Sequence, residues 1–271
     1  MTFKCRISGK QLEVINDFGD QPLGNGFLNK EDLQNEYFYR MKTGFCEESK
    51  MFQLLEQPDP KKMFHENYAF FSSTSKHMQS HFKRFYDFVI ESDYLSKNPF
   101  IVEIGCNDGI LIQNFASNGF EHLGVEPSAN VANLAKKSKI NILEEFFDLD
   151  SSNKIKNTYG SADVILAANV ICHIPNIVEL AKSVKNLLKN KGVFIFEEPY
   201  LGDVVKKISY DQIYDEHVFL FSGLSVQHLF NIVGMELIDL IPQKTHGGSM
   251  RYVLANKGEF IAKDSVKNIL E

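Results

Sequence analysis

The sequence has no tryptophan and only four cysteines among its 271 residues. Cys5, Cys46, Cys106 and Cys172 are scattered along the chain, which argues against a disulfide framework and fits a reducing, cytoplasmic location. There is no surplus of positive charge, since 29 Lys and Arg stand against 35 Asp and Glu for a net charge of −6. A chain of that balance lacks the electrostatic footprint of a nucleic-acid or anionic-membrane binder. No apolar run approaches the ~20 residues of a membrane helix, and residues 1–9 carry no apolar signal-peptide core. No internal repeat or low-complexity segment is present. What the chain does have is 44% hydrophobic residues, 23 Phe and 10 Tyr. That content is incompatible with disorder and suffices for one full domain plus a small appendage.

Three stretches follow from the patterning. Residues 1–60 carry the turn-forming pieces Asp17-Phe18-Gly19-Asp20, Pro22-Leu23-Gly24-Asn25-Gly26 and Gln57-Pro58-Asp59-Pro60, separated by short aromatic or β-branched runs. They predict a small, irregular, β-rich subdomain. Residues 61–98 predict a helical connector, with Met78, Phe82, Phe85, Phe88 and Val89 at helical spacing over 75–95. From residue 99 onward, strands at 100–104, 122–126, 140–143, 162–168 and 193–197 alternate with helices at 110–118, 128–138 and 177–188. A further helix is expected at 222–234, then strands at 236–241 and 250–255. This alternation predicts an α/β, Rossmann-like domain over 99–271 with a largely parallel sheet covered on both faces.

The most informative motif is Glu103-Ile104-Gly105-Cys106-Asn107-Asp108-Gly109, set between a strand and a helix. Gly105 and Gly109 permit a tight turn and close approach of a ligand, and Asn107 lies between them. The spacing is one residue tighter than the G-x-G-x-x-G of dinucleotide enzymes, which disfavours a dehydrogenase. Glu103 on the strand suits the amino acid end of S-adenosylmethionine, directly or through water. Glu126, about 20 residues after the loop, can accept both ribose hydroxyls. Phe146 and Phe147 follow the third strand, where an aromatic face suits adenine, and Asn169 follows the fourth. Together these residues predict an S-adenosylmethionine site. Cys106 and Cys172 read as small packing residues.

Several flanking stretches carry a resemblance. They are Asp17-Phe18-Gly19, Pro22-Leu23-Gly24-Asn25-Gly26-Phe27-Leu28, Tyr68-Ala69-Phe70-Phe71-Ser72-Ser73, Asn169…His173-Ile174-Pro175, Tyr214-Asp215-Glu216-His217, and Thr245-His246-Gly247-Gly248-Ser249-Met250-Arg251. In these pieces the chain resembles the nucleotide-sugar C-methyltransferases that act on deoxysugars. The resemblance implies an N-terminal zinc subdomain, a central S-adenosylmethionine site, and acid/base groups at Tyr214, Glu216, His217 and His173. It places Tyr68, His246 and Arg251 at the substrate, the last two as partners for an anionic group.

The sequence departs from that family pattern in three places. The two Cys-x-x-Cys pairs read Cys5…Ser8 and Cys46…Ser49. Two thiolates do not make a closed four-ligand site, so no structural zinc and no other metal is expected. The subdomain is then expected to hold itself through Phe18, Leu23, Phe27, Leu28, Phe45 and Phe52. The family's C-terminal domain is expected to be absent, which leaves room for a partner chain or a dimer. Asp215 beside His217 is expected to raise the histidine pKa.

The implied reaction is methyl transfer to a small sugar-derived or phosphorylated acceptor, in deoxysugar or capsule polysaccharide biosynthesis. In C-methylation, His217 removes a proton from the carbon alpha to a keto group while Tyr214 hydrogen-bonds the enolate. Two alternatives stand beside it: O-methylation of another sugar or phosphorylated acceptor in capsule modification, and a non-catalytic, degenerate cofactor-binding paralogue.

Overall fold

A computed structural model describes residues 3–65 and 68–270. The N-terminal part contains β1 (Glu13–Pro22), β2 (Phe38–Cys46) and β3 (Met51–Leu54), followed by a one-turn helix α1 (Pro60–Met63) and the long helix α2 (Lys76–Ile90). The alternating part then runs β4 (Phe100–Ile104), α3 (Ile112–Ser117), β5 (Glu121–Val125), α4 (Ala129–Lys137), β6 (Ile142–Leu143), α5 (Leu149–Tyr159), β7 (Ala162–Ala168), α6 (Ile177–Leu187), β8 (Leu188–Pro199) and α7 (Leu201–Lys207). It closes with β9 (Phe219–Leu220), α8 (Gly223–Asn231), β10 (Met235–Gln243), β11 (Ser249–Asn256) and α9 (Asp264–Leu270).

Seven strands form one sheet in the order β10-β11-β8-β7-β4-β5-β6. The pairs β4–β5, β4–β7, β5–β6 and β7–β8 are parallel, and β11 runs antiparallel to both its neighbours. The predicted α/β, Rossmann-like arrangement is therefore present. Its strand order reverses between β4 and β7, and a ligand crevice is expected at the carboxyl ends of those two strands. Both faces are covered. One carries Phe82, Phe85, Tyr86 and Val89 of α2 against Ile101, Val164 and Ile195. The other carries Leu180, Val184, Val226 and Phe230 against Val102, Ile165 and Phe194. Each fully buried aromatic contributes about 1.5–3 kcal/mol relative to exposure.

Two helices are absent from the sequence reading. In α5 the polar composition hides the helix, yet Asp148 caps it by accepting the Ser151 N–H at 2.8 Å in a reciprocal capping box. The other, α7, spans seven residues, too short for an amphipathic period to show.

The N-terminal strands form a second sheet, β1-β2-β3-β9, whose last strand comes from far along the chain. Phe52 pairs with Leu220 and Gln53 with Phe219. Its apolar support differs from expectation. Phe27 and Leu28 are exposed, and the packed groups are instead Cys5, Leu12, Cys46 and Leu55, with Tyr39, Met41 and Leu54 beside Phe18 and Ile213. A glycine-rich turn holds few neighbours, whereas alternate strand residues face the core in register.

Candidate active site

A cavity of about 580 Å³ opens at the predicted crevice. Its cofactor end is built by the glycine loop. Gly105 sits at φ +63°, and a Cβ there would lie 2.3 Å from the Val170 side chain, so only glycine lets β4 and β7 turn past each other. Asn107 also adopts a left-handed conformation. Its Oδ1 accepts the Ser72 N–H at 3.1 Å and its Nδ2 donates to the Phe70 carbonyl at 3.1 Å, fastening segment 68–74 across the loop.

Glu126 lines the cavity. Its carboxylate accepts the backbone N–H of Asn107 at 3.0 Å and of Ser128 at 2.8 Å, one on each oxygen. Each oxygen keeps a free lone pair, which is what two ribose hydroxyls require. Burial pushes the Glu126 pKa upward against those bonds. Asn169, Phe146 and Phe147 line the same end, as does Asp148, which sequence reasoning missed. Glu103 and Gly109 do not line the cavity. Glu103 is buried behind the loop, where its carboxylate accepts the Ile112 N–H at 2.8 Å and holds the first turn of α3.

The other end of the cavity gathers residues from four distant stretches. Tyr68, His173, Tyr214, Glu216, His217 and His246 all line it. Rings stack in a ladder. Phe64 lies 5.4 Å from His173, His173 lies 5.4 Å from His217, and His217 lies 4.2 Å from Tyr214. His217 Nδ1 is 2.8 Å from the Gln212 carbonyl. A carbonyl only accepts, so Nδ1 carries the proton and Nε2 keeps its lone pair. Burial lowers the His217 pKa to about 4. This corrects the expectation that Asp215 raises it: the Asp215 carboxylate turns away and accepts the Gly24 N–H at 3.0 Å. Burial, then the neighbouring His217, drives His173 well below the usual histidine range. Both imidazoles are thus neutral at pH 7, and the phenol of Tyr214 is held protonated by burial and by Glu216.

The turn bearing His173 rests on Glu198, a residue the sequence did not single out. Glu198 Oε1 accepts the N–H groups of Val170, Ile171 and Cys172 at 3.0, 2.6 and 3.3 Å. Burial raises this carboxyl to about 7. The potential ligand atoms of Cys172, His173 and His217 lie within 4.8 Å of one another. The two imidazoles are only 25° from parallel, however, so their in-plane lone pairs do not converge on one point.

Arg251 is placed elsewhere. It is buried, paired with Glu197 at 2.5 Å, and lies over the rings of Phe85 and Phe88. His81 contacts the other Glu197 oxygen at 2.5 Å. His246 reaches the cavity, but burial lowers its pKa, so it offers no cation. Lysine and arginine are absent from the described lining, whereas Glu126, Asp148, Glu179 and Glu216 are present.

In the N-terminal sheet the four positions of the altered cysteine pairs converge. Cys5 Sγ lies 3.1 Å from Ser49 Oγ, and Ser8 Oγ lies 3.4 Å from Cys46 Sγ. Against the effect of burial, hydrogen bonds from Ser49 and Ser8 bring the Cys46 thiol down to about 7. Two hydroxyls in place of two thiolates do not fit a closed structural zinc site.

Comparison with known proteins agrees with this geometry. The sequence model of a family described as "Methyltransferase domain" matches residues 74–240, and one described as "Putative zinc binding domain" matches residues 5–64. The C-methyltransferase NovU of Streptomyces niveus is 28% identical over 250 residues, covering 91% of this chain and 59% of that protein. A ubiquinone biosynthesis O-methyltransferase of Acinetobacter baylyi is 24% identical over 153 residues, 54% of each chain. The chain thus spans little more than half the length of these curated relatives. Among solved structures, a methyltransferase from Clostridium acetobutylicum superposes with a TM-score of 0.53 at 15% identity, over 65% of this chain and 92% of that one. An S-adenosylmethionine-dependent methyltransferase from Anabaena variabilis gives 0.52 at 15%, over 68% and 86%. With its motif loop, its strand order and the match over residues 74–240, the chain belongs to the methyltransferase-domain family.

Proposed function

We propose that this chain is an S-adenosylmethionine-dependent C-methyltransferase acting on an uncharged keto ring of a sugar-derived acceptor, in deoxysugar or surface-polysaccharide biosynthesis in the cytoplasm. The observation that carries this reading is His217: a neutral imidazole with Nδ1 fixed by the Gln212 carbonyl and a bare Nε2 in the cavity. Glu126, Asn107, Asn169, Phe146 and Phe147 would hold the cofactor, which supplies an electrophilic methyl group. Glu103 and Gly109 support the loop from behind. His217 Nε2 takes the proton from the carbon alpha to the ketone, and the enolate carbon so formed is the nucleophile. The Tyr214 hydroxyl is kept protonated and can donate to the developing enolate oxygen. Stacked His173 and Tyr214 fix the His217 ring plane, which limits misalignment of the reacting atoms.

The lining favours an uncharged ring over a phosphate inside the cavity, because an anion there would meet carboxylates and neutral histidines. A phosphorylated acceptor would keep its phosphates outside. A second reading, O-methylation, is favoured by the likeness to the ubiquinone O-methyltransferase; there His217 would take a hydroxyl proton. Calorimetry with S-adenosylhomocysteine tests the first step, and absence of binding at high micromolar concentration overturns the methyltransferase reading. Locating the new methyl by NMR, on carbon or on oxygen, decides between the two reactions.

Among the described residues no helix is long and apolar enough to cross a membrane. The Cys5/Ser8/Cys46/Ser49 cluster supports a subdomain that holds together by hydrogen bonds and packing without zinc.

A further inference from the structure

The loop between β1 and the short 3-10 helix Lys30–Asn35 reaches the acid/base segment of the cavity. Pairing of β3 with β9 brings the chain just after His217 onto the N-terminal sheet, so residues 214–217 must pass that loop. Two contacts fasten them. The Gly24 N–H donates to Asp215 Oδ1 at 3.0 Å, and Asn25 Nδ2 donates to Glu216 Oε1 at 2.6 Å. Gly24 is pressed close, since a Cβ there would lie 3.0 Å from Asp215 Oδ1 and 3.6 Å from the Tyr214 ring. Asn25 itself lines the cavity. Glu216 uses its second oxygen to accept the Tyr68 hydroxyl at 3.4 Å.

We propose that Asn25 is a positioning residue for the reaction: its amide fixes the Glu216 carboxylate between the N-terminal sheet and Tyr68, so that Glu216 faces the acceptor in one orientation. This rests on the methyltransferase reading for its meaning, but its physical content concerns two side chains. Asn25 is the closer of the two donors to Glu216, and the only one from the N-terminal sheet among the described contacts. A short amide-to-carboxylate bond also favours the ionised form of a carboxyl that burial and Asp215 push toward the neutral form. The groups facing Glu216 are Asp215 on its own segment, Asn25 from the N-terminal loop, Tyr68 from the strap over the cofactor loop, Tyr214, and Cys172 from the turn after β7.

The test follows the Glu216 carboxyl by 13C NMR in the full chain labelled at glutamate, with the resonance assigned by its loss in Glu216→Gln. Asn25→Ala removes the donor, and Asn25→Asp keeps the shape while replacing the donor with an acid. The expected result is an upward shift of the Glu216 titration midpoint by about one pH unit in Asn25→Ala, and a larger one in Asn25→Asp. An unchanged midpoint in both variants overturns the proposal. Since Asn25→Asp is isosteric, a merely space-filling role leaves the midpoint where it was. Binding of S-adenosylhomocysteine is measured on the same wild-type sample. If wild type fails to bind it, the methyltransferase reading falls while the NMR result stands; if it binds and the midpoint does not move, only the role of Asn25 falls.

Discussion

The two ends of the cavity are built in different ways. The cofactor end comes from one stretch, residues 103–126, and its polar contacts to Glu126 are made by backbone N–H groups. The acceptor end is assembled from side chains of segments as far apart as Asn25 and Glu216, 191 residues apart in sequence. Backbone donors are fixed by the fold and survive changes of side chain. A ladder of stacked rings and paired side chains depends on every member. The difference teaches that substitution should erode the acceptor end by losing rate, and the cofactor end by losing affinity.

The largest effect expected is on rate. His217→Ala should cost ~10²–10⁴ in kcat if its imidazole is the base, while leaving the affinity for S-adenosylhomocysteine within a few-fold by calorimetry. A near-normal rate would move the base elsewhere. The same residue predicts the pH profile. Its folded pKa of about 4 keeps the imidazole unprotonated down to that pH, so the acid limb of kcat/KM should lie near pH 4 rather than near the usual 6.5.

Arg251 sharpens the boundary of the acceptor end. Arg251→Ala leaves Glu197 buried beside His81 alone and should lower stability by about 3–5 kcal/mol in urea unfolding. If stability is unchanged but acceptor KM rises, Arg251 belongs to the substrate after all.

At the cofactor end, Glu126→Ala should weaken S-adenosylhomocysteine binding by roughly ten- to a hundredfold, from about 1.5–3 kcal/mol for charge-assisted bonds. Equal affinity would mean that the ribose is held by other groups. The smallest effect concerns the N-terminal sheet. Wild type should purify without stoichiometric zinc, whereas Ser8→Cys with Ser49→Cys restores four thiols at converging positions and should bind one zinc per chain. One zinc per wild-type chain would show that two hydroxyls suffice.

The parallel sheet and the glycine loop were legible because their signals are local. A strand of apolar residues ending at Gly105, followed 20 residues later by Glu126, can be read along the chain without knowing what else is near. The helix α5 was not legible, because only Ile155 among its apolar side chains is well buried. Phe27 and Leu28 misled for the opposite reason: they are apolar, yet exposed. Arg251 was read as a ligand for an anion because a lone arginine beside glycines suggests one. Its partner Glu197 sits on a different strand, and no spacing in the sequence connects them.

By itself, the sequence determined the alternating α/β order, the cofactor loop and the identity of the acid/base segment 214–217, since each is carried by neighbouring residues. Tertiary structure alone decided three things. It brought Asn25 to Glu216 and closed the N-terminal sheet with β9. It also set the sign of the His217 shift. Asp215 adjoins His217 in the chain, but the fold turns its carboxylate toward Gly24 and buries the imidazole. Desolvation then outweighs a charge that is near only in sequence.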